Sequence, residues 1–151
     1  MATQGGEAQD IEAASEAIAE LAKTCGDCHA SVEGGPTFDP TTLPPLEEGV
    51  KSHMARHIWA ADRMWEALIM PSDSAWERAI VMLGEGAVEE HEMPEAILRS
   101  PRALELRKLV HTLAGEDAPT PGVRTQIYGT LLAACAECHM VTGTPRPAPG
   151  P

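Results

Sequence analysis

Aromatic side chains make up only 3% of the 151 residues, and runs of β-branched residues are absent. A chain rich in Ala, Leu, Glu and Met without such runs favours helices over strands. Its length suits one domain, 1–151, with a core of ordinary size. The sequence therefore predicts an all-α domain whose core lacks large flat apolar side chains of its own.

Long hydrophobic runs are also missing. No stretch of 18 apolar residues occurs, so the sequence predicts no transmembrane segment. The first ten residues, Met1–Asp10, are polar and do not have the pattern of an export signal.

Positive charge is scarce. The 11 Lys and Arg residues are outnumbered by 23 Asp and Glu residues, and the formal net charge is −12. This balance argues against nucleic acid and anionic membranes as partners. It suits docking to a partner protein with a basic surface, although an acidic surface also serves solubility alone. The sequence does not indicate an oligomeric state.

Two short motifs stand out against this composition. Cys25-Gly26-Asp27-Cys28-His29 and Cys135-Ala136-Glu137-Cys138-His139 are both C-x-x-C-H boxes, the sequence mark of covalent c-type haem attachment. Two thiols three residues apart lie on one face of a helical turn. Each thiol can form a thioether with one haem vinyl group, and the adjacent His can coordinate the iron. The two boxes use all four cysteines.

Two other uses of these cysteines fit the sequence less well. A zinc site of four thiolates sets its two C-x-x-C pairs about 15–20 residues apart, whereas most of the chain separates Cys28 from Cys135. A dithiol redox motif gives no reason for a His after both pairs. The boxes therefore predict two haem c groups, held by Cys25, Cys28, Cys135 and Cys138 with His29 and His139 as iron ligands.

Two buried haems would supply the flat apolar groups that the sequence lacks. A haem attached through thioethers is normally installed after export. We therefore expect a periplasmic or otherwise exported protein whose export signal is not present in this chain.

Hydrophobic periodicity and turn residues divide the chain into four parts. A haem-bearing helix is predicted over 10–30, a loop rich in Pro and Gly over 31–46, a helical bundle over 47–140, and a disordered tail over 141–151. The stripe expected to be buried on the front helix is Ile11, Ala14, Ile18, Leu21, Cys25 and Cys28.

Four helices are expected within the bundle. The first spans about Glu47 to Met70 and is stopped by Pro71. Ser74 is the expected N-cap of the second, whose inward-facing residues are Trp76, Ile80 and Leu83. An acidic connector covers 91–100, Ser100-Pro101 begins the third helix, and the fourth ends in the second haem box. The apolar stripe expected on the first of these helices is Val50, Met54, His57, Ala61, Met64, Trp65 and Leu68.

The stretch from Glu47 to His139, with its haem box at the end of the last helix, resembles the cytochrome c prime family, an up-down-up-down bundle. The resemblance implies an all-α fold: a four-helix bundle plus an N-terminal helix that carries the additional haem box. It also implies that the far side of the C-terminal haem faces the first bundle helix near His57. The chain departs from the family in its extra front helix and in having histidines where the family usually has an apolar residue.

His53 and His57 are the candidates for the remaining axial positions. They are four residues apart and point to nearly the same side of one helix. His53-Met54-Ala55-Arg56-His57 is also similar to a His pair in the first helix of single-haem bundle cytochromes. We expect His57 to face the C-terminal haem and His53 the N-terminal one, with both boxes at one end of the bundle. A zinc pair or two surface histidines are the alternatives.

Other side chains are held in reserve as ligands. His91, next to glutamates, is expected to be solvated, but it would lie at the same end as His53. His111 is expected to be exposed. The methionines that could reach a haem are Met54, Met64, Met93 and Met140.

These observations indicate an electron-transfer dihaem cytochrome with two low-spin, bis-His haems and no bond chemistry of its own. A haem peroxidase would need an open iron site beside an acid–base group, and no such constellation is recognisable. A gas-binding sensor would need one five-coordinate haem. No catalytic residue is assigned.

The first prediction is stoichiometric. Because both boxes are complete, the denatured chain should keep two haems after acid–acetone extraction, and Cys25→Ala with Cys28→Ala should leave one. A haem that extracts freely would remove the assignment of the box that lost it.

Overall fold

The computed structural model describes residues 3–38, 42–84, 93–101, 104–105, 108–109, 112 and 120–143, with side chains from Asp10 onward. Every regular element in these ranges is an α-helix, which confirms the all-α prediction for the described part of the chain. The helices are α1 (Thr3–Ser31), α2 (Val50–Ile69), α3 (Asp73–Gly84), α4 (Glu95–Leu98) and α5 (Pro121–Thr142). None of the described helices is long and apolar enough to cross a membrane.

Several boundaries differ from expectation. Helix α1 begins at Thr3 rather than Asp10, and α2 is three residues shorter at its start than predicted. The N-cap of α3 is Ser72, not Ser74, because the Ser72 hydroxyl accepts a hydrogen bond from the Ala75 amide at 3.2 Å. The predicted connector over 91–100 contains the short helix α4. Most of the helix expected after Ser100-Pro101 lies outside the described residues. The disordered tail predicted over 141–151 is wrong at its start, because α5 continues to Thr142; residues 144–151 lie outside the described residues.

Helix α1 packs through small side chains, not through its bulky apolar stripe. Its buried positions include Ser15, Ala19, Ala22 and Gly26, spaced at steps of three and four residues. In contrast, Ile18 is 45% exposed and Leu21 is 59% exposed, and Cys28 is also exposed. The predicted buried stripe of α1 is therefore wrong. Small residues let the helix backbone approach its neighbours more closely than the Ile–Leu stripe would.

On α2 the buried face includes Met64 and Leu68 of the predicted stripe, but at the start of the helix it is rotated from the predicted one. Val50 and Met54 are exposed, and the buried side chains are His53, Arg56, Ala60, Met64, Ala67 and Leu68. Helix α3 covers this face with Trp76, Ile80 and Leu83, as its periodicity predicted. Together with Tyr128 and Leu131 of α5, these residues form the main core.

Helix α5 runs antiparallel to α2. Near its start, Arg124 Nη2 donates to Asp73 Oδ1 at 2.6 Å, just beyond the end of α2. One turn later the ring of Tyr128 lies 6.0 Å from that of Trp65. Because a helix rises 1.5 Å per residue, the remaining turns of α5 bring its end to the level of the first turns of α2.

Helix α1 runs parallel to α2 and antiparallel to α5. A Cβ at Gly26 would clash with the carbonyl oxygen of Leu68, near the end of α2, and a Cβ at Gly129 would lie 3.6 Å from Ala19 Cβ. Residues 32–38 therefore begin at the end of α2, whereas residues 42–49 lead into its start. The second of these segments is attached to α2, where the Ser52 hydroxyl donates to the Pro45 carbonyl at 3.0 Å.

The second prediction concerns Gly26. Gly26→Ala places a methyl group against the rigid Leu68 carbonyl, so it should lower the free energy of unfolding by about 1–3 kcal/mol. Gly122→Ala is the matched control, because Gly122 is also helical but has nothing within 4 Å of its Cβ position; it should stabilise by about 0.4–1 kcal/mol. Urea unfolding at equal haem content measures both, and equal effects of the two variants would refute the close approach.

Candidate functional site

The first box lies against the turn that joins α2 to α3. Gly26 is buried, and its Cβ position is 3.2 Å from the Leu68 carbonyl carbon and 3.5 Å from Pro71 Cγ. A glycine is therefore required between the two cysteines for this packing. The thiols are less enclosed than Gly26: Cys25 is half-buried and Cys28 is exposed.

His29 is held in a definite orientation by the same turn. Its Nδ1 lies 2.9 Å from the carbonyl oxygen of Ile69. A carbonyl only accepts, so Nδ1 carries the proton and donates, and in neutral imidazole Nε2 then keeps its lone pair. Metal-ligating histidines usually donate their second ring N–H in this way. His29 therefore fits the role of an iron ligand.

The loop after α1 closes over His29. A Cβ at Gly35 would clash with Met70 Sδ and lie 2.9 Å from Cγ of the His29 ring. Met70 thus packs on the same side as His29. Sequence reasoning missed Met70, since it comes at the end of the predicted α2 and no periodic signal links it to the box.

The second box faces the interior more than the first. Cys135 packs against the main core, and burial with the charge of nearby Cys138 raises the pKa of its thiol to about 11. Burial, and next the Glu137 carboxylate, raise the pKa of Cys138. His139 is exposed at the last turn of the helix.

Both boxes have the same ending. The Ser31 hydroxyl donates to the Cys28 carbonyl at 2.7 Å, and the Thr142 hydroxyl donates to the Cys138 carbonyl at 2.8 Å. Each helix therefore extends only about one turn past its second cysteine, with Gly143 in the left-handed conformation after α5.

The alternatives for the cysteines fit this geometry poorly. Reactive C-x-x-C dithiols have lowered thiol pKa values, whereas those of Cys135 and Cys138 are raised. The two cysteine pairs also lie at opposite ends of the bundle. Ala19 of α1 lies beside Gly129 of α5. Cys25 is six residues beyond Ala19 and Cys135 six residues beyond Gly129, and the two helices run in opposite directions. The two cysteines are therefore about 18 Å apart along the bundle axis. In the described part of the chain, no group of three or more His, Cys, Asp or Glu side chains could hold a metal ion.

His53 and His57 form a contact pair at the start of α2. Their ring centroids are 4.0 Å apart at an interplanar angle of 53°, His53 is buried, and His57 is half-buried with its Nε2 enclosed. Because α5 is antiparallel to α2, this pair lies at the level of Cys135–His139. The structure therefore brings both histidines to the end that carries the second box.

The expected arrangement of both boxes at one end is wrong. His29 is bonded to Ile69, so along α2 the first box is about 18 Å from His57 and about 24 Å from His53. Metal–nitrogen bonds are about 2 Å long, so His53 cannot share an iron with His29 in this arrangement. The cause is the direction of α1, which runs parallel to α2 and carries its box to the far end.

The reserve ligands fall into two groups. Met64 is fully buried in the core, whereas Met54 and Met140 are exposed and Met93 is half-buried. His91 and His111 lie outside the described residues. Of these four methionines, Met64 therefore packs in the core.

No protein family, curated protein or solved structure matches this chain.

The third prediction tests the packing of α5 on α2, which positions the second box. Tyr128 is the only tyrosine, and burial, then the charges of Asp62 and Cys135, raise its pKa from 10.0 to about 12. The folded chain holds this proton longer than the unfolded chain, so its stability should fall as the pH rises from about 10 to about 12. An ultraviolet phenolate titration should give a lower pKa for Asp62→Asn and no change for Asp27→Asn, because the exposed Asp27 carboxylate is paired with Lys23. A folded wild type that titrates at 10 would contradict the packing.

Proposed function

We propose that the protein is an electron-transfer dihaem cytochrome c. The observation that carries the proposal is the pair of complete C-x-x-C-H boxes, which lie at the ends of two packed helices. In the first box, the Nδ1 of His29 donates to the Ile69 carbonyl, so its Nε2 is left for iron. The haems supply reversible one-electron chemistry when bound. The chain attaches them through Cys25, Cys28, Cys135 and Cys138 and orients His29 and His139 toward them.

His57, with His53 beside it, is the proposed second axial ligand of the C-terminal haem. Both belong to the end of α2 that lies level with the second box, and the Nε2 of His57 is buried there. The strap of residues 42–49 borders this end, since Arg56 Nη1 donates to the Glu47 carbonyl at 3.4 Å. Such packing limits the freedom of the first turns of α2 and so keeps a ligand in place as the iron changes oxidation state.

We infer that residues 47–140 form a bundle of the cytochrome c prime type. The short connection from α2 to α3, and α5 antiparallel to α2 with a box at its end, support that architecture. Helix α1 is then an addition that packs on both α2 and α5. The same proposal includes export to the periplasm, where covalent haem is assembled. It also includes a redox partner with a basic surface, because the chain has a net charge of −12.

The fourth prediction is a redox titration. The chain should take up two electrons reversibly, because each box holds one centre. At roughly 20 Å and an effective dielectric constant of about 20, two unit charges interact by about 0.8 kcal/mol, or roughly 35 mV for one electron. Centres about 10 Å apart would give twice that value.

The interaction is measured by comparison with the variant Cys25→Ala, Cys28→Ala. The potential of its remaining C-terminal haem should differ from the wild-type value by no more than about 35 mV. Uptake of fewer than two electrons, or irreversible reduction, would refute the carrier function. A much larger difference in potential would refute the separation of the boxes.

A further inference from the structure

The two boxes have different surroundings on the side away from their own histidines. The second box lies level with His53 and His57, whose rings are in contact. The first box is about 18 Å or more from both along α2. Among the described residues, no histidine other than His29 lies near Cys25 and Cys28.

The methionine closest to the first box does not replace a histidine. A Cβ on Gly35 would clash with Met70 Sδ while lying 2.9 Å from Cγ of His29, so the thioether and the imidazole border the same small volume. A sixth ligand must stand on the opposite side of the haem plane from His29. Met70 therefore packs against the proximal ligand.

The surface that the first box presents is apolar and open. Cys28 is exposed, and Leu21 and Ile18 precede it on the same face with 59% and 45% exposure. The Leu21 and Ile18 side chains offer no hydrogen-bond donor and no lone pair to an iron. The Thr24 hydroxyl on the same face already donates its proton to the Glu20 carbonyl at 2.8 Å. By contrast, Cys135 is packed against the core.

We propose that the haem of Cys25 and Cys28 has an exchangeable sixth position that binds a small uncharged diatomic ligand, whereas the haem of Cys135 and Cys138 is closed by the His53–His57 pair. This inference rests on the proposed function, since it requires both haems. The ligand that a haem iron binds depends on the distal pocket: on its polarity, its hydrogen-bond donors and the space through which a ligand can enter. An apolar surface without donors, on a chain of charge −12, favours a neutral ligand over an anion.

Carbon monoxide is the probe, added to the reduced, fully loaded protein. We expect one carbon monoxide per chain, which is half of the haem counted as pyridine haemochrome, and one high-spin iron before addition. Fewer than two covalent haems would refute the proposed function itself. With two haems present, no carbon monoxide bound or two bound would overturn the unequal sites alone.

Variants identify which haem is open. His53→Ala with His57→Ala should raise the bound carbon monoxide from one to two per chain, and Met70→Leu should leave it at one. If the double variant stays at one, the open iron is not the N-terminal one and the inference fails.

A second pair of variants covers the case in which the double histidine variant does not fold. Cys25→Ala with Cys28→Ala should abolish carbon monoxide binding and keep one low-spin haem. Cys135→Ala with Cys138→Ala should keep one haem that binds carbon monoxide fully. The opposite result in either variant would overturn the assignment.

Discussion

The close contact of α1 with the end of α2 determines where both haem boxes lie. Gly26 has no side chain, so the backbone of α1 can approach the Leu68 carbonyl, and one turn later His29 can donate to Ile69. With the first box fixed at this end, α5 carries the second box to the other end because it runs antiparallel to α2. Two identical motifs therefore acquire different neighbours.

The helices could be predicted because their signals are local. Pro71 ends α2 as expected, and the periodicity of Trp76, Ile80 and Leu83 placed the buried face of α3 correctly. The buried face of α1 could not be predicted in the same way. Hydrophobic periodicity assumes that the bulkiest apolar stripe is buried, but α1 packs through Ala19, Ala22 and Gly26. The bulky stripe ends at the two cysteines, where a covalent haem would provide its apolar contact.

The direction of α1 also lay beyond local signals. Short connections make neighbouring helices antiparallel, whereas the 18 residues from 32 to 49 are long enough to return along the bundle and leave α1 parallel to α2. Ser52 and Arg56 of α2 bind the end of this connection through the Pro45 and Glu47 carbonyls. The length of the connection was visible in the sequence, but the two partners that attach it became visible only in the fold.

The same distinction separates haem attachment from haem ligation. Attachment needs two thiols and one histidine within five consecutive residues, so the motif is enough to predict it. The sixth ligand must come from another element of the fold, and its identity depends on which helix end lies nearby. His53 and His57 were correctly recognised as a pair on one helix face, and their rings do lie 4.0 Å apart. Because one helix end can serve only the box beside it, the His53–His57 pair lies level with the second box and far from the first.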